Sequence, residues 1–96
     1  MITEDNIAFY PNIISHLDYQ RNLVDCLRRH CGKDSLEEDR LLDISVDIWH
    51  NMSPEERDFI KRWDNIYRKE IVMWREIDEA RVASITKEKL AKLNGE

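Results

Sequence analysis

Apolar positions recur at helical spacing along almost the whole chain, and the gaps in that pattern carry helix-end signals. Ile13, Leu17, Val24, Leu27 and Cys31 build one stripe, which predicts a first helix from about Asn12, behind Pro11, to Gly32. Arg28, Arg29 and His30 complement the negative end of that helix, and Gly32 suits a left-handed cap. Residues 3–10 carry a weaker signal for a short extra turn.

Ser35 followed by Glu38 predicts a capping box at the start of a second helix. Leu41, Leu42, Ser45, Ile48 and Trp49 then share one face, Asp39, Asp43 and Asp47 line the other, and the helix should end near His50 or Asn51. The third start is the strongest: Ser53 as cap, Pro54 in the first helical position and Glu56 completing a second box. From there Phe59, Ile60, Trp63, Ile66, Tyr67, Ile71, Trp74 and Ile77 fall on one broad face, which predicts a long third helix to about Val82. "RVASIT" contains poorer helix formers, where the helix can kink or break before "KEKLAKLNGE" finishes it as a short fourth. The expected fold is all-α: a single small helical domain over residues 1–96, with three main helices and a short C-terminal fourth.

Composition agrees with that picture. Hydrophobic residues are 42% and charged residues 36% of the chain, with two glycines and two prolines. This is too apolar for disorder and too poor in turn residues for a many-stranded β fold. The net charge is −5, which disfavours indiscriminate nucleic-acid binding. Residues 1–48 hold five basic and ten acidic side chains, whereas residues 49–96 hold ten of each. The whole excess of negative charge therefore lies in the first half. No apolar run is long enough to span a membrane, and "MITEDNIAFY" lacks the layout of a signal peptide. Cys26 and Cys31 point apart around one helix, so no disulfide is expected between them. Free thiols fit a reducing compartment, the cytoplasm of a cell or of an infected host.

Three surfaces emerge as candidates. Asp39, Asp43 and Asp47, with Glu37 and Glu38 nearby, form an acidic ridge able to attract a basic partner. Arg57, Lys61, Arg68 and Arg75 lie within about 40° of one another on a continuous helical wheel, a basic row that could track phosphates or an acidic protein surface. Trp63, Tyr67 and Trp74 form an aromatic stripe expected to belong chiefly to the core, with Trp49 joining it. Glu70 interrupts that stripe and calls for solvent or a basic partner, which a second copy of the chain could supply across a homodimer interface. Cys26 and His30 sit one helical turn apart, with His16 and Tyr19 on the same flank. Two ligands fall short of the three or four that zinc sites use, so no metal, cofactor or catalytic residue is assigned.

The segment from Leu41 to Trp74 resembles the second and third helices of a high-mobility-group (HMG) box. The likeness rests on Trp49 ending one helix, then "NMSPEERDF", then a long charged helix. It implies that Trp49 is a core tryptophan, that "SPEER" opens the third helix, and that the basic row could face DNA. The basic, proline-containing arm and wedge-bearing first helix of that family have no counterpart here, so its minor-groove residues are not carried over. The expected function is accordingly a non-enzymatic protein-binding module, a small inhibitor or adaptor of the sort that phages and viruses encode. The alternative is a diverged DNA-binding box.

Overall fold

The computed structural model describes residues 1–93 and consists of a 3-10 turn at Ile7–Phe9 and four helices: α1 (Pro11–Arg29), α2 (Leu36–Asn51), α3 (Pro54–Arg62) and α4 (Ile66–Leu93). The expected all-α class is the observed one. No described helix is long and apolar enough to cross a membrane.

α1 is the hub, packing against α2, α3, α4 and the N-terminal turn. Its inward positions Ile13, Leu23, Cys26 and Leu27 are the most completely buried side chains among the described residues. Burial of an aliphatic side chain of this size contributes about 1.5–3 kcal/mol, so α1 anchors the others. At one end of α1, Ile2, Ile13 and Phe59 form a cluster covered by Ile7, Tyr10, Leu17, Ile60 and Trp63. The Trp63 ring stacks on Phe59 at 5.3 Å, and its Nε1 donates to Glu4 Oε1 at 2.8 Å, which fastens the N-terminal segment.

α1 closes in a Schellman turn. Gly32 N–H donates to Leu27 C=O at 2.8 Å and Cys31 N–H to Arg28 C=O at 3.4 Å. Cys31 (φ 52°), not Gly32, holds the first left-handed position, and Gly32 (φ 78°) follows it. This corrects the expected cap and places Cys31 outside the core stripe, on the surface. The glycine is required for a second reason. A Cβ there would lie 3.1 Å from the Trp74 carbonyl oxygen and 3.2 Å from its ring, so α4 crosses directly over the turn.

The helix starts differ in how far they follow expectation. At α3 both halves of the capping box form: Ser53 Oγ accepts from Glu56 N–H, and Glu56 Oε1 accepts from Ser53 N–H. At α2 only Ser35 caps; Glu38 does not reciprocate and is buried instead.

The long third helix expected from Ser53 is divided. Residues 63–65 leave the helix, and Asn65 restarts it: its Oδ1 accepts from Arg68 N–H at 3.1 Å and its Nδ2 donates to Gln20 Oε1 at 3.2 Å. One side chain thus caps α4 and ties its start to α1. No interruption occurs at "RVASIT"; α4 is continuous to Leu93, and the expected finish in residues 94–96 lies outside the described residues. α4 spans 28 residues, about 42 Å at 1.5 Å per residue, within a molecule measuring 60 × 24 × 22 Å. None of its described residues is fully buried, and every residue from Val82 to Leu90 is exposed.

Candidate functional site: the outer face of α2

The acidic ridge is built by helical spacing alone. Asp39, Asp43 and Asp47 follow one another a turn apart on α2, and all three are exposed. α2 is held by its opposite face, where Leu41, Leu42, Ser45, Ile48 and Trp49 are half-buried, so the ridge must point outward. Among the described residues, none of the three carboxylates forms an ion pair or hydrogen bond. The ridge is also not purely polar. Leu36, Ile44 and Val46 are 77%, 49% and 52% exposed on the same helix. At 100° per residue, Val46 borders the ridge on one side, exposed Arg40 and then Ile44 follow on the other, and Leu36 falls within it.

The basic row is arranged very differently. The break at Trp63 puts Arg57 and Lys61 on α3 and Arg68 and Arg75 on α4, so the four do not share one helix. Each also has work inside the chain. Arg57 donates to the carbonyls of Trp49 at 2.9 Å and His50 at 3.3 Å, covering the open end of α2. Arg57 and Lys61 stand over the Trp49 ring at 5.7 and 5.8 Å from its centre. Arg68 donates to the Lys61 carbonyl at 3.3 Å, which covers the end of α3. Arg75 lies 3.9 Å from Glu38 and is the cation nearest that buried carboxyl, whose pKa burial pushes up.

The aromatic stripe resolves into three separate places. Trp63 belongs to the cluster beside Phe59, Trp74 covers Gly32, and Trp49 sits under two cations rather than in a shared core. Glu70 finds its base within the same chain. Arg28 Nε and Nη2 grip its two carboxylate oxygens at 2.6 and 2.7 Å, and Trp74 Nε1 adds a bond at 3.3 Å. The Arg28 hydrogen bonds hold its pKa below the usual value. A second copy of the chain is therefore not needed to satisfy Glu70. Tyr67 is half-buried on the same helix.

Sequence reasoning paired Cys26 with His30 but missed Glu37. The α1–α2 turn brings all three together, with donor atoms within 4.8 Å of one another. No local signal could have found the third member, because Glu37 reaches the pair only once the turn has closed.

No family model matches the chain, and no curated protein or solved structure matches it. The functional reading rests on this geometry.

Proposed function

We propose that the protein is a non-enzymatic protein-binding module, an inhibitor or adaptor that presents the outer face of α2 to a basic partner. The observation that supports this most is the contrast between its two charged surfaces. Asp39, Asp43 and Asp47 face outward and form no ion pair among the described residues, whereas the basic row is engaged in closing α2 and α3 and in pairing with Glu38. Flanking Ile44 and Val46 add apolar area that a face built for solubility alone would not need. A basic amphipathic segment complements both properties: its cations meet the ridge and its apolar side chains meet Ile44 and Val46.

The alternative, DNA binding through the basic row, has the HMG-box resemblance in its favour. It would require Arg57, Arg68 and Arg75 to exchange existing intramolecular partners for phosphates.

Affinity capture from cell lysate, with and without nuclease, separates the two. The proposal expects a nuclease-resistant partner that the Asp39→Asn/Asp43→Asn/Asp47→Asn variant fails to retain, with helical content unchanged. Capture that is lost on nuclease treatment, or that depends on Lys61 and Arg68 but not on the three aspartates, would overturn it.

A further inference from the structure

The turn between α1 and α2 gathers three side chains of unlike chemistry that the acidic ridge does not use. Cys26 and His30 lie four residues apart at the end of α1, so they project on one flank. The Schellman turn reverses the chain, and Glu37 in the first turn of α2 arrives opposite them. The thiol sulfur, an imidazole nitrogen and a carboxylate oxygen lie within 4.8 Å of one another, and His30 Nε2 is 3.5 Å from Glu37 Oε2. We propose that Cys26, His30 and Glu37 form a binding site for a divalent transition metal of the zinc class, with water completing the coordination.

The donor set selects the class of ion. One sulfur, one nitrogen and one oxygen suit zinc, which takes all three at about 2.0–2.3 Å in tetrahedral geometry. Magnesium and calcium require oxygen shells that this turn does not offer. Bonds of that length need donors about 3.3–3.5 Å apart, so gaps that reach at most 4.8 Å close by about 1.5 Å or less. The movable members can supply that adjustment. Cys26 is fixed in the core, whereas His30 and Glu37 are half-buried on its outer side. On coordination the sulfur–hydrogen bond breaks, the metal–sulfur bond forms and the proton leaves to solvent; the imidazole binds in its neutral form. Ser35 Oγ, 3.5 Å from Cys26 Sγ, is placed to donate to the resulting thiolate.

One neighbour opposes the site. Arg29 holds both Glu37 oxygens at 2.8 and 2.5 Å. Its Nε is bonded to Asp25 at 3.0 Å, so the guanidinium keeps a partner when Glu37 turns one oxygen to the metal. Arg29 therefore competes with the ion, and removing it should strengthen binding. A merely structural role for Glu37 would not produce that gain.

The test is a cobalt(II) titration of the reduced full chain, followed by absorption and by displacement with zinc. The expected spectrum combines a thiolate-to-cobalt charge-transfer band with the intense visible bands of tetrahedral cobalt. Cys26→Ser should abolish the charge-transfer band, and Cys31→Ser should leave it unchanged. His30→Ala and Glu37→Gln should each weaken binding by about tenfold or more, and Arg29→Ala should tighten it. Glu37→Gln alters a side chain outside the core and guards against confusing lost binding with lost folding, which circular dichroism checks for Cys26→Ser. Absence of the band in the wild type at excess cobalt would overturn the proposal. So would a band that depends on Cys31 rather than Cys26, or an Arg29→Ala affinity no higher than wild type.

Discussion

Replacing Gly32 with alanine tests the closest approach in the fold, where α4 passes over the α1–α2 turn. Two penalties and one gain can be worked from the structure. A left-handed conformation at φ 78° costs a residue with a Cβ about 1–2 kcal/mol. Loss of glycine's freedom in the unfolded chain returns about 0.4–1 kcal/mol. The new methyl would also sit 3.1 Å from the Trp74 carbonyl oxygen and 3.2 Å from its ring. Relief requires moving either helix backbone or a bulky ring, and overpacking of this kind costs about 1–3 kcal/mol. The net expectation is a loss of about 1–5 kcal/mol, centred near 3, a large part of the roughly 5–15 kcal/mol available to a small domain. Urea denaturation followed by circular dichroism should show a lower midpoint with an unchanged slope. In a Trp74→Ala background the same substitution should cost less, because one of its two obstacles is gone while the carbonyl remains. A loss below about 0.5 kcal/mol in the wild-type background would contradict the packing of α4 on this turn.

Two further outcomes follow from single side chains. Asn65→Ala removes both the cap of α4 and the bond to Gln20; it should lower stability by about 1–2 kcal/mol, and a neutral result in urea denaturation would mean that α3 and α4 are not separated by this cap. Burial lowers the pKa of His16 from 6.5, and its Nδ1 has no partner among the described residues. The unfolded chain therefore binds the proton first, so the stabilising effect of neutral His16 is complete above pH 6.5 and is lost as the pH falls from there through the lower pKa of the folded chain. His16→Gln should flatten the dependence of the urea midpoint on pH from about 7.5 to 5.5 relative to wild type; parallel curves would refute the assignment.

How much of this was legible in the sequence depended on the range of the interaction. Ser53, Pro54 and Glu56 announced the start of α3 because a capping box is a local device, satisfied within four residues. The same motif at Ser35 and Glu38 was only half informative, since Glu38 is buried near Arg75 on α4 instead of turning back on its own helix. The break at Trp63–Asn65 escaped the periodicity because apolar residues continue at spacings of three and four across it. Asp64–Asn65 was the available signal, two turn-forming residues inside an otherwise regular pattern. The partner of Glu70 was beyond reach, because Arg28 lies 42 positions earlier. For the candidate surface, the ridge was readable from its i,i+4 spacing. Internal engagement of the basic row was not, since the carbonyls it covers become neighbours only when α2, α3 and α4 assemble.

In the proposed mode of docking, α2's outer face receives the basic partner and the basic row serves the fold. Amide chemical-shift mapping of the isotope-labelled chain with a synthetic basic amphipathic peptide, at about 50 mM salt where surface charges are weakly screened, tests it most directly. Shifts should concentrate from Leu36 to Asp47. They should be lost in the triple aspartate-to-asparagine variant and reduced by Ile44→Ser/Val46→Ser, which leaves every charge in place. Shifts confined to α3 and α4, or binding that ignores the Ile44 and Val46 substitutions, would contradict this mode of docking.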